Sequence, residues 1–104
     1  MSIQLNERIW GMMDAARAAY GRYGKVAYIT SANDGKHMAG SLHYKDLALD
    51  FRTGHHWATP WLTLAQVQQI AALIRGSLVP DYDVVVEKDH LHIEYDPKGR
   101  GKRA

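Results

Sequence analysis

The chain has 104 residues, of which 46% are hydrophobic, and a formal net charge of +2 when histidine is counted as neutral. This length fits one domain with a small core, and the nearly balanced charge argues against the broad basic face expected of a nucleic-acid-binding domain. Cysteine is absent, which excludes disulfides and thiolate metal sites, so any metal must be held by nitrogen and oxygen.

The chain termini carry no signal for a membrane. The first eight residues lack a basic region followed by an apolar run, and no window approaches the ~20 apolar residues of a spanning helix. We therefore expect a protein made in the cytoplasm, monomeric and without a membrane partner. Residues 1–97 are the expected domain and residues 98–104 a basic flexible tail, which is more typical of a solvated end than of a nucleic-acid contact.

The first half of the chain predicts one helix and two strands. Residues 6–20 repeat apolar side chains at helical spacing, and glycines follow. Residues 25–30 are rich in strand formers, and residues 33–35, Asn-Asp-Gly, form a strong turn signal. Residues 47–52 then alternate bulky apolar with smaller or polar side chains, which predicts a strand with one apolar face and Asp50 on the other.

The second half predicts a helix and a hairpin. Thr63 and Gln66 have capping-box spacing, and the apolar stripe after them ends at Gly76. Residues 82–86 are mostly β-branched, and residues 90–94 alternate polar and apolar side chains, so we expect two strands joined by a turn at residues 88–89. The predicted fold class is α+β, with a small, mainly antiparallel sheet and two helices on one of its faces.

Histidines and carboxylates in two segments form a candidate metal site. His43 and Asp50 lie in one segment and His92 in the other. Two imidazoles and one carboxylate are a common ligand set for a catalytic zinc, which keeps a fourth position open for water. Because six histidines in a small chain bring two near an acid by chance, solvated or hydrogen-bonded histidines remain the alternative on spacing alone.

Two motifs resemble one family of zinc enzymes. Residues 41–50, Ser-Leu-His-Tyr-Lys-Asp-Leu-Ala-Leu-Asp, look like the Ser-x-His-x-x-Gly-x-Ala-x-Asp signature of the zinc D-Ala-D-Ala carboxypeptidases. That family includes vancomycin-resistance dipeptidases and phage endolysins of the L-alanoyl-D-glutamate type, and the hedgehog signalling domain shares its fold. Residues 89–92, Asp-His-Leu-His, resemble the downstream Asp/Glu-x-x-His element, so the likeness covers residues 25–97.

The resemblance implies a role for each matching residue. His43, Asp50 and His92 fall on the zinc-ligand positions, and Asp89 falls on the general-base position. Ser41 falls on the position of a serine that helps to hold substrate. His37 falls on the position of a histidine beside the zinc, whose role here is either to orient substrate or water or to support the loop. Asp46 departs from the pattern, which has glycine there, and no residue matches the upstream substrate-binding arginine, for which Lys36 and Arg52 qualify by charge alone.

The implied activity is zinc-dependent hydrolysis of peptidoglycan stem peptides, as in a D-Ala-D-Ala carboxypeptidase or a phage-encoded endolysin acting on the host cell wall. Two alternatives stay open. Glu87 and His90 compete with Asp89 and His92 as the pair of acid and ligand, since they have the same spacing. A non-catalytic zinc-binding recognition module of the hedgehog-like fold is the alternative function.

Overall fold

A computed structural model describes residues 7–34, 47–78 and 80–96, and its elements follow the predicted order. Helix α1 covers Glu7–Gly21 and α2 covers Leu64–Ser77. Strands β1 to β4 cover Ile29–Asp34, Leu47–Arg52, Tyr82–Val86 and His90–Tyr95. The α+β class with two helices and an antiparallel sheet is therefore confirmed for the described part of the chain.

The sheet has the strand order β1-β2-β4-β3, and every neighbouring pair is antiparallel. The predicted hairpin is present, because β3 pairs with β4 and the amide of Glu87 donates to the carbonyl of His90 at 2.8 Å. Strands β2 and β4 lie side by side although about forty residues separate them, and Asp50 pairs with His92 across them. This central pairing brings residues 48–50 of the first motif beside the second motif.

The first strand begins later than the sequence predicted. Residues 25–28 precede β1, and Asn33 and Asp34, expected in a turn, belong to the strand. The amide of Lys25 instead donates to the carbonyl of Tyr20, which folds this segment back against α1. Strand β1 pairs with residues 47–51 of β2, and its register shifts between Ile29 and Ser31. This pairing determines where β1 begins and ends more strongly than local strand propensity does.

One face of the sheet is covered by both helices and the other face carries polar side chains. Alternate residues of β2 and β4 are buried on the helix side. They pack against apolar residues of α1 and α2 in one core, which includes Met12, Tyr20, Leu49, Phe51, Val67, Ile70, Ile74, Leu91 and Ile93. Because strand side chains alternate, the remaining residues of β2 and β4 point to the opposite face.

Helix α2 starts as predicted. The Thr63 hydroxyl accepts from the amide of Gln66, and the side chain of Gln66 accepts from the amide of Thr63, so both halves of the capping box are formed. Its buried stripe of Val67, Ile70, Ala71 and Ile74 follows the predicted periodicity, whereas Leu64, expected at the start of the stripe, is exposed. Among the described residues, no helix is long and apolar enough to cross a bilayer.

Candidate metal centre

The face of the sheet away from the helices brings together Asp50 of β2 with His90 and His92 of β4. One ligand atom from each lies within 4.8 Å of the others. Nδ1 of His92 is 2.7 Å from Oδ1 of Asp50, and Nε2 of His90 is 3.5 Å from that same oxygen. We call these three residues the metal triad, since two imidazoles and a carboxylate can hold one ion.

Strand register explains why these side chains meet. Asp50 is the direct partner of His92, while His90 is the partner of Arg52, two residues further along β2. His90 and His92 share a face because they are two residues apart on one strand, and antiparallel partners bring their side chains within about 5 Å. The triad therefore rests on the most central pair of strands, which the core holds from behind.

Each histidine of the triad makes a second contact to an outer carboxylate. Nδ1 of His90 lies 2.6 Å from Oδ1 of Asp89, and Nε2 of His92 lies 3.1 Å from Oε1 of Glu94. In each ring, one nitrogen faces Asp50 and the other faces an outer acid. Metal-binding histidines usually donate their second ring N–H to a carboxylate, which fixes the tautomer and raises the basicity of the ligand nitrogen. The triad has this arrangement for both rings.

The electrostatics of the triad favour a positive charge in its centre. Burial lowers the pKa of His92, but hydrogen bonds to Asp50 and Glu94 and the charges of both acids outweigh it, so this pKa lies above its ordinary value of 6.5. The pKa of Asp89 lies below its ordinary value, first because of the hydrogen bond from His90. A cation held between the triad residues would take the place of the proton on His92 and meet the same negative surroundings.

Solvent reaches the triad from the polar side of the sheet. The side chains of Asp50, His90 and His92 are 24%, 29% and 26% exposed. A metal held here would keep coordination positions open towards solvent, as in catalytic sites. Nitrogen and oxygen donors of this kind suit zinc, and the combination of two histidines and one carboxylate also suits ferrous iron.

Two pockets flank the triad on the same face of the sheet. The first, of about 320 Å³, is lined by Arg52, His56, Trp57, Asp89 and His90 together with Thr30 and Gly54, and we call it the Arg52 pocket. The second, of about 410 Å³, includes His92, Glu94 and Glu87 in its lining and is called the β3 pocket. The triad thus lies between two open spaces large enough for parts of a peptide.

Of the residues predicted from the sequence, Asp50 and His92 are brought together and Asp89 lies at the edge of the same group. His43, Ser41, His37 and Asp46 lie outside the described residues, so their roles stay predictions. His90, which the sequence offered only as a competing ligand, is a member of the triad. Glu94 was missed as an outer acceptor, although the alternation of residues 90, 92 and 94 on one strand face signals it.

No family model, curated protein or solved structure matches this chain.

Proposed function

We propose that this chain is a zinc-dependent peptidase that hydrolyses peptidoglycan stem peptides, with a fold of the hedgehog and D-Ala-D-Ala peptidase type. The observation that carries the proposal is the metal triad, in which both histidines have an outer carboxylate on the second ring nitrogen. These outer carboxylates hold both rings so that the remaining nitrogen of each faces Asp50. The resemblance of residues 41–50, apart from Asp46, and of residues 89–92 to the family signature supports the same activity.

Two ligand sets support this proposal, one from the family signature and one from the described geometry, and both contain Asp50 and His92. The family signature adds His43, four residues before the start of β2, and the described geometry adds His90. When bound by these side chains, zinc supplies Lewis acidity for a carbonyl oxygen and an activated water near neutral pH. The chain's part is to hold three donors rigidly and to leave the solvent side open.

Asp89 has the position of a proton carrier at the edge of the triad. Its carboxylate is exposed and is held by the ring of His90. The hydrogen bond from His90 holds the pKa of Asp89 below its ordinary value, so the carboxylate is ionised at neutral pH and free to accept a proton, although it is a weaker base than an unpaired aspartate. In the proposed mechanism a carboxylate oxygen of Asp89 takes a proton from the attacking water and passes it to the leaving amine.

The test is to measure bound metal and peptide hydrolysis on the same preparations. Wild type should bind one equivalent of zinc and release amine from peptidoglycan or from short stem peptides. Asp89→Asn should keep zinc and lose roughly 10²- to 10⁴-fold in turnover, the usual contribution of general acid–base catalysis. Glu87→Gln is the matched control, because Glu87 lines the β3 pocket and has the competing spacing.

The outcomes separate the alternatives. Turnover lost in Glu87→Gln but kept in Asp89→Asn would move the base to Glu87. Zinc loss in His43→Ala or in His90→Ala identifies the third ligand. Zinc bound without cleavage of any wall peptide would favour a recognition module, and absence of metal after loading with zinc or ferrous iron would refute the proposal.

A further inference from the structure

The two edge strands of the sheet differ in how their outer backbone groups are covered. At the β3 edge, Arg75 of α2 donates from Nε and from a terminal nitrogen to the carbonyl of Val84, at 3.1 and 2.8 Å. That carbonyl faces away from β4, because the amide of Glu87 bonds to His90 and successive residues of an antiparallel strand face alternate sides. The middle of the β3 edge is therefore capped and closed to a further strand.

Strand β1 forms the other edge and lacks such a cap. In the described ranges, no hydrogen bond from another residue reaches its outward-facing backbone. Residues 29–33, Ile-Thr-Ser-Ala-Asn, contain no charged residue and no proline, the residue types that usually protect an edge strand. Ser31 and Ala32 are exposed. An exposed edge of this kind can accept another strand through its backbone.

An apolar groove lies between this edge and helix α1, and we call it the β1 groove. Its volume is about 320 Å³, and its lining includes Trp10 and Met13 of α1 with Val26 and Ile29 from the segment that leads into β1. Trp10, Val26 and Ile29 are 49%, 59% and 44% exposed. They leave roughly 300 Å² of apolar surface in water. Of the described residues, none covers this surface.

The charges and the area of the β1 groove suit a second copy of the same chain. Its rim carries both signs, with the ion pair of Asp14 and Arg17 on α1 and Lys25 on the segment before β1. A two-fold axis brings acids of one copy towards bases of the other, so two such rims do not repel each other. Two copies supply roughly 600 Å² of apolar surface, about the non-polar half of a ~1,200 Å² interface, the lower limit for stable pairs.

We propose that two copies of this chain pair through β1, antiparallel and about a two-fold axis, in place of the monomer expected from the sequence. The two four-stranded sheets then continue as one, and the β1 grooves of both copies meet beside the axis. The axis is perpendicular to the sheet, so both metal triads lie on one face, with their β2 strands three strand spacings, about 14 Å, apart. The inference depends neither on a bound metal nor on the proposed peptidase activity.

The experiment measures the mass of the whole chain in EDTA by sedimentation equilibrium at increasing concentration. Wild type should pass from monomer to dimer with a dissociation constant of roughly 1–100 μM, as expected of a small interface. Val26→Lys adds a like charge to the β1 groove of each copy and should raise that constant at least about 10-fold. Val85→Lys is the matched control, because Val85 is a valine of comparable exposure, 41%, on the capped edge strand, and it should leave the constant unchanged.

Hydrogen exchange on the same samples locates the contact. Amides of residues 29–33 should become more protected as the concentration rises, whereas those of β3 should not change. Wild type that stays monomeric up to about 1 mM, or a dimer that Val26→Lys leaves intact, would overturn the proposal. Equal protection of the β1 amides at every concentration would also overturn it, because a segment of the same chain would then cover the edge.

Discussion

At the scale of single residues, His92 is the most informative group in the site. Both of its ring nitrogens contact carboxylates, Asp50 on one side and Glu94 on the other. That arrangement suits two states, an imidazolium that donates twice and a neutral ring that binds metal through Nδ1 while donating through Nε2. A proton and a metal ion in the triad would therefore compete for one nitrogen atom.

This competition gives a pH dependence with a definite sign. The pKa of His92 is raised in the folded protein above its ordinary 6.5, so its contribution to the stability of metal-free protein is complete below that value. The contribution is lost as the pH rises through the folded-state pKa. In EDTA, the melting temperature of wild type should exceed that of His92→Gln by more at about pH 6 than at about pH 8.

Zinc should reverse this trend, because the proton must leave before the metal binds. The apparent zinc affinity of wild type should fall as the pH decreases through the pKa of His92. Competition titrations with a chromophoric chelator at several pH values measure that affinity. The prediction fails if the zinc affinity does not change with pH and the difference in melting temperature between wild type and His92→Gln stays constant. His92 would then take no part in metal binding.

At the scale of elements, the loop after β2 shapes the Arg52 pocket. Gly54 has a positive φ of 59°, and an added Cβ would lie 2.7 Å from Cβ of Trp61 and 2.9 Å from Cε3 of Trp57. The amides of Trp57 and Trp61 both donate to the carbonyl of Gly54 at 3.2 Å. The glycine thus allows a tight turn that places Trp57 in the pocket and Trp61 against Tyr20 and Tyr28.

Replacing this glycine should damage both stability and the pocket. Gly54→Ala forces a side chain into the left-handed region and against two indole groups, so we expect a loss of about 1–3 kcal/mol in the free energy of unfolding. Gly76→Ala, inside α2 with no atom near the added Cβ, is the control and should be neutral or stabilising by up to about 1 kcal/mol. Urea denaturation measures both changes. Equal stabilities of the two variants would contradict the steric argument.

At the scale of the whole molecule, the triad joins two parts of the chain that are distant in sequence. Asp50 comes from the second strand and His90 and His92 come from the last. The unfolded chain has no reason to present these donors together, so the binding free energy of a metal held by the triad would add to the stability of the fold. The helix layer behind β2 and β4 holds these donors in place without a metal.

Zinc should therefore raise the melting temperature of the whole domain. At a free zinc concentration 100 times the dissociation constant, the stabilisation is about 2.7 kcal/mol, which corresponds to a shift of roughly 10 °C or more in a domain of this size. Magnesium at equal concentration is the control, because it prefers oxygen ligands and should give little shift. Asp50→Asn should lose most of the zinc effect. No shift of wild type with zinc or ferrous iron would argue against a metal site.

The sequence by itself determined the order of elements, the capping box at Thr63, the hairpin before His90 and the polar placement of Asp50 and His92. These features depend on local periodicity and capping, which neighbouring residues decide. Tertiary structure decided the rest. Pairing with β2 moved β1 to Ile29–Asp34, and the register of β2 with β4 placed His90 beside Asp50 and Arg52 beside His90. Register across forty residues depends on the packing of the entire sheet, which no local pattern contains.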